Sequence, residues 1–193
     1  SLTLAVPAVT AGGVTAGAFD KGMYDAFDLV RVNAINDATD PYFQYDRVAI
    51  QAYNRTTNSW ETPVGISCTV AAPCSTFNGY NLTAAQRELY VGVRFIYTER
   101  PGRTGVAQPA GAGVAASTGT TRGITLVYAI RDTLRSAAAV PVVNGPRYNE
   151  PLNGANSVVR NDVHGSAVSP VGTATAVDAD TIQLLDANLQ LDV

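Results

Sequence analysis

Tyr90-Val91-Gly92-Val93-Arg94-Phe95-Ile96-Tyr97-Thr98 decides the fold class. Val91, Val93, Phe95 and Tyr97 alternate with Gly92, Arg94 and Ile96. A period of two places each set on its own face of a β-strand. The pattern recurs on both sides of this stretch. Asp46–Tyr53 sets Val48, Ile50 and Ala52 against Ala49, Gln51 and Tyr53. Gly123–Arg131 sets Ile124, Leu126, Tyr128 and Ile130 against Thr125, Val127, Ala129 and Arg131. Phe27–Ile35 puts Val30, Val32 and Ala34 on one face, and Ser157–Val163 and Thr173–Leu185 carry the alternation more weakly. The faces holding Val48, Val91 and Ile124 are expected to form the core. Half-buried strands of this kind suit antiparallel sheets, not a parallel α/β sheet.

Composition agrees. Among 193 residues, Lys occurs once (Lys21), Glu four times and Met once, against twelve Arg and twelve Asp. The straight-chain helix formers are nearly missing, while Asp favours turns and caps. Charged residues make up 15% and the net charge is −3, which excludes the basic footprint of a nucleic-acid binder or a polybasic membrane docker. No apolar run reaches the ~18–20 residues of a membrane helix, so no membrane insertion is expected.

Asn78-Gly79, Asn144-Gly145 and Asn153-Gly154 are turn dipeptides. Pro101–Arg122, rich in Gly, Ala, Ser and Thr, reads as a long loop. Thr83 and Gln86 fit a capping box ahead of a two-turn helix over Ala84–Leu89. Together these predict an all-β chain: a two-sheet antiparallel sandwich, jelly-roll or Greek-key, with one short helix. Residues 1–193 are read as a single unit, with a subdivision near residue 122 as the alternative.

The two ends share a pattern. Leu2, Leu4 and Val6 match Leu189, Leu191 and Val193 at one constant offset. We expect residues 189–193 to be the opening strand of a following copy, so that the chain is one unit of a tandem array. Chance similarity of short alternating strands is the plain alternative. With neither an initiator Met nor a leader-like run, the sequence is expected to be a mature or excised piece.

Chemistry is sparse. Cys68 and Cys74 enclose five residues, and one histidine cannot complete a zinc site with them. A local disulfide is the first reading, two free thiols the second, and a redox pair the third, because the spacing exceeds Cys-x-x-Cys. If oxidised, the pair implies export. His164 lies near Ser166 without a Gly-x-Ser-x-Gly elbow, so a strand or turn histidine is expected. Glu61, Glu88, Glu99 and Glu150 have no aromatic-lined sugar cleft around them and read as surface acids. Calcium is the one metal considered, at Asn36-Asp37-Ala38-Thr39-Asp40 or Asp178-Ala179-Asp180-Thr181, although Asx turns and outward strand positions explain both. Lys21 lies in a loop-like context, against an isopeptide crosslink. Asn54-Arg55-Thr56 and Asn81-Leu82-Thr83 are glycosylation sequons. No set of residues supports an enzyme, and no catalytic residue or cofactor is expected.

The stretch Gly123–Asp132, then Asn156–Val163, Thr173-Ala174-Thr175-Ala176 and Leu189-Gln190-Leu191-Asp192-Val193 resembles the conserved-repeat β-sandwich domains of large bacterial, actinobacterial-type cell-surface proteins. The resemblance covers about residues 123–193. Ala5-Val6-Pro7 replaces the usual Thr-Lys after the first strand, which weakens any carry-over of that family's crosslinks. Asp46–Tyr53 and Val91–Tyr97 look more like a galactose-binding-type jelly roll. The resemblance implies an extracellular, cell-surface module, structural or adhesive, in a stalk or fibre. Its partners would be neighbouring copies or domains of the same surface protein, with head-to-tail strand pairing through residues 2–6 and 189–193 as a variant. The alternative is a carbohydrate-binding module recognising host or matrix glycans, with Trp60, Tyr80, Tyr97 and Tyr148 as loose candidates.

Overall fold

A computed structural model describes residues 2–6, 22–40, 46–101, 123–139, 142, 158–169 and 172–184. The chain is all-β. Nine strands form among these residues: β1 (Leu2–Val6), β2 (Phe27–Val32), β3 (Asp46–Asn54), β4 (Ser59–Glu61), β5 (Tyr80–Asn81), β6 (Tyr90–Glu99), β7 (Leu126–Ile130), β8 (Val158–Ser169) and β9 (Gly172–Gln183). They make two antiparallel sheets. One runs β4-β3-β6-β1-β8-β9 and the other β5-β2-β7. The sheets share a core without closing at their edges.

That core follows from the period-two faces. Val48, Ile50 and Ala52 of β3 and Val91, Val93, Phe95 and Tyr97 of β6 are buried, as their alternation requires. They pack with Leu29 and Val32 of β2 and with Tyr24, Ile35, Ile66, Phe77 and Leu82. On β7 the rule holds in part: Leu126 and Tyr128 are half-buried and Val127 and Ala129 exposed, but Ile130, at the end of the expected core face, is exposed beside the cleft next to Arg131. A second cluster joins Met23, Ala26 and Phe27 to Leu134, Val142, Val159 and Leu184, anchoring the base of the β8–β9 hairpin.

β2 departs from its expected face. Phe27, Leu29 and Val32 are buried, while Val30 and Ala34 are half-buried. A β-bulge between Leu29 and Arg31 in the pairing with β7 inserts a residue and reverses the phase.

The helix count also differs from the single helix expected. α2 (Ala84–Leu89) stands where the capping box placed it: Gln86 N donates to Thr83 Oγ1, and Thr83 N to Gln86 Oε1. α1 (Met23–Ala26) is a second helix of one turn with every residue buried, so no amphipathic stripe could announce it. Its Asp25 carboxylate accepts from Ser136 N at 2.7 Å and from Ser136 Oγ at 2.8 Å, tying α1 to the chain beyond β7. At Asn78-Gly79 no regular turn forms, but Gly79 takes the left-handed backbone expected of it, at φ +85°. There a Cβ would meet the Val32 carbonyl at 3.1 Å, so glycine serves both the angle and the close approach. Most of the Pro101–Arg122 loop, from 102 on, and the other two Asn-Gly turns lie outside the described residues.

Buried tyrosines give the fold a pH limit. Tyr24 and Tyr128 stack edge-on at 5.7 Å and share a hydroxyl hydrogen bond of 3.1 Å. Burial pushes the Tyr128 phenol up to about 12 and Tyr24 well above its ordinary value. Burial, helped by donation to Glu61, pushes Tyr90 up to about 12. The unfolded chain ionises these phenols near pH 10 while the folded chain holds them protonated. Their contribution is complete below pH 10 and is lost as pH rises toward 12. Absorbance titration at 295 nm is therefore expected to show Tyr24, Tyr90 and Tyr128 ionising above pH 10, together with loss of the strand circular-dichroism signal.

Candidate functional site

The candidate site is the place of β1 in the larger sheet. Five residues with alternating apolar positions pair with a strand on each side. On one side Leu2, Thr3, Leu4, Ala5 and Val6 stand opposite Tyr97, Ile96, Phe95, Arg94 and Val93 of β6. On the other, Leu2, Thr3, Leu4 and Ala5 stand opposite Ala167, Ser166, Gly165 and His164 of β8. β1 therefore occupies a slot between two strands, and among the described strands it is the one that joins the β4-β3-β6 half of the sheet to the β8-β9 hairpin. The apolar positions Leu2, Leu4 and Val6 oppose the buried Tyr97, Phe95 and Val93. Thr3 and Ala5 oppose the half-buried Ile96 and Arg94 on the outer face. Of the strand-pairing candidates, Leu2, Leu4 and Val6 lie in this slot, and Leu189, Leu191 and Val193 lie outside the described residues.

The outer face beside the slot carries Arg94. Its guanidinium lies 4.6 Å over the Trp60 ring and donates to Gln51 Oε1 at 2.6 and 2.9 Å. Burial pulls it below its ordinary value. Among the described residues no carboxylate pairs with it. On the far side of β1, His164 of β8 is half-buried and faces Val177 of β9.

The sheet's two edges differ. β4 covers Ala52–Asn54 of β3. The rest of that edge is covered by the disulfide loop: Ile50 N donates to Cys68 O, and Val48 and Cys74 exchange backbone bonds of 2.8 and 2.9 Å. Cys68 and Cys74 are disulfide-bonded, as the first reading of their spacing has it. The bond pins this cover in place and marks an oxidising environment. Serine at both positions is expected to lower stability by about 2–3 kcal/mol on the chain-entropy model, read as a lower urea midpoint. Dithiothreitol should lower the unsubstituted protein to the same midpoint. At the opposite edge, β9 is exposed along most of its length, including Val177 (61%) and Ile182 (40%).

A second cluster of charge lies behind β2. The Arg135 side chain is fully buried, and Nη2 reaches Asp28 Oδ1 at 2.6 Å. Nη1 reaches Glu88 Oε2 at 3.1 Å and the Glu88 carbonyl at 2.8 Å, and Nε donates to the Tyr24 carbonyl. Arg131 bonds Asp28 and Glu88 at 2.6 and 2.8 Å. The hydrogen bond from Arg131 holds Glu88 below the usual carboxylate range. Asp28, Glu88, Ile130, Arg131, Asp132 and Thr133 line a polar cleft of about 230 Å3 here. Arg131 and Arg135 balance Asp28 and Glu88, and their bonds tie α1, α2, β2 and the end of β7 together. Sequence reading missed the cluster.

The remaining candidates are placed as follows. Trp60 is half-buried between Tyr53, edge-on at 5.4 Å, and Arg94, so its ring is already covered. Tyr97 is buried, Tyr80 donates to the Val64 carbonyl, and Tyr148 lies outside the described residues. Asn36 Oδ1 accepts from Ala38 N and Thr39 N, an Asx turn that spends oxygens otherwise offered to a cation. Asp178 and Asp180 stand exposed on one face of β9. Glu61 accepts from Asn54 and Tyr90, while Glu150 and Lys21 lie outside the described residues. Asn54 is buried with its carbonyl oxygen on Thr56 N and Thr57 N. Asn81 is exposed and accepts from Arg31.

No family model, curated protein or solved structure matches the chain. The class it can be given is the one the fold defines: an antiparallel all-β chain with one disulfide and a five-residue strand holding the two halves of its larger sheet together.

Proposed function

We propose that this chain is a structural module of an extracellular stalk or fibre, a link that carries tension between its neighbours. One observation carries the reading. β1 and β9 run in the same direction on either side of β8, and Leu2 stands level with Ala174. From there to Gln183 is nine residues of strand, about 30 Å. Tension entering ahead of Leu2 and leaving beyond Leu184 pulls β1 and β9 lengthwise in opposite directions. The ladder bonds lie across the strands, so this load shears them together instead of opening them one by one. The disulfide and the resemblance of residues 123–193 to surface-repeat domains support the extracellular setting.

Force spectroscopy on the full chain tests this. Held at its two ends, the chain should rupture in one step at high force. Held at residue 1 and, through Val168→Cys, at the exposed end of β8, it should open at markedly lower force. Residue 168 lies beside the Leu2 level, so that geometry peels β1 away bond by bond. Equal forces in the two geometries would overturn the reading.

A further inference from the structure

The slot that holds β1 fits a second segment of the same chain. Leu189-Gln190-Leu191-Asp192-Val193 repeats the Leu-x-Leu-x-Val of Leu2–Val6. The three shared positions are the ones that oppose the buried Tyr97, Phe95 and Val93 of β6. The two that differ fall on the outer face. Gln190 would take the place of Thr3, between Ile96 and Ser166. Asp192 would take the place of Ala5, between Arg94 and His164. Arg94 meets an amide and an indole ring but no carboxylate among the described residues, so the incoming strand brings the charge that β1 lacks.

We infer that the partner of the β1 slot is a second copy of this chain, whose Leu189–Val193 enters between β6 and β8 in the register of β1. The inference rests on the link reading above and names the contact between links: in the joined state the incoming strand takes the place and direction of β1, so the load enters the slot along it instead of along Leu2–Val6. Within the slot the pairing is conserved, because it releases one five-residue strand and accepts another. Opposite charges directly across an antiparallel pair stabilise it, and like charges destabilise it. Asp192 therefore favours the incoming strand over Ala5 at that position.

The test mixes two full-length variants, one carrying Gln190→Cys and the other Ser166→Cys, under air oxidation, with peptide mapping of the products. Positions 190 and 166 face each other in the proposed register. The expected result is an intermolecular 190–166 crosslink well above that of a control mixture pairing Gln190→Cys with Ile182→Cys, which lies at the far end of β9. Adding Asp192→Arg to the first chain should lower the yield by about fivefold, since attraction becomes repulsion. No excess over the control, or a yield indifferent to Asp192→Arg, overturns the inference. Absent crosslinking with the directional force difference intact removes the exchange and leaves the link reading. Crosslinking without the force difference supports the exchange and removes the link reading.

Discussion

Phe95→Ala is expected to lower the stability of the fold by about 3–5 kcal/mol, the usual cost of deleting a buried aromatic ring. Phe95 is 1% exposed at the middle of β6. It stands opposite Ile50 of β3 and Leu4 of β1, so its ring fills the core where three strands meet. Close-packed neighbours cannot collapse fully into the space it leaves, and the residual cavity adds to the lost transfer energy. Urea unfolding followed by circular dichroism should show a lower midpoint with an unchanged slope. Val127→Ala on the exposed face of β7 is the control and should stay within about 0.5 kcal/mol of the parent. Similar small losses for both would mean that the sheets do not meet over Phe95.

Arg135→Ala is expected to cost about 3–5 kcal/mol, the range for breaking a buried, hydrogen-bonded ion pair from one side. The loss is mostly of partners left behind. The carbonyls of Tyr24, Arg87 and Glu88 lose their donor together, and Asp28 keeps only Arg131 of its two cations. Because those carbonyls belong to α1 and to the end of α2, both helices should loosen. Their amide exchange should rise more than that of β3. Arg135→Lys cannot restore the fork, since one ammonium does not span these acceptors, and it should recover only a minor part of the loss.

Much of the core was legible in the sequence, and the reasons are local. β3 and β6 are long and bury one face almost without a break while the other face is covered only in part, so side-chain alternation reported them directly. α2 announced itself through Thr83 and Gln86, and the disulfide through the spacing of Cys68 and Cys74. The misreadings are local too. The β2 bulge adds a residue at Leu29–Arg31 with no glycine to mark it, so an unbroken period placed Val30 where Leu29 belongs. α1 is one buried turn, too short to show a period. β8 and β9 read weakly because β9 is exposed on both faces, which leaves no apolar side to alternate.

The site was half legible for a different reason. The repeat of Leu2–Val6 at residues 189–193 is visible in the sequence. The slot is not, because it is built from strands roughly 90 and 160 residues further along. The same distance hid the charge cluster: Arg135 meets Asp28 across 107 positions and the Tyr24 carbonyl across 111. No short-range pattern reports such pairs.

Shear loading depends on Leu2–Val6 being bonded along both of its edges, and strand exchange depends on the slot that this two-sided pairing defines. Residue-resolved hydrogen exchange on the full chain reads this directly, since successive amides of a strand point to opposite neighbours. Thr3, Leu4 and Ala5 should all exchange slowly, because β6 lies on one side and β8 on the other. A fast-slow alternation along these three amides would make β1 an edge strand and contradict the account, as would rapid exchange at all of them.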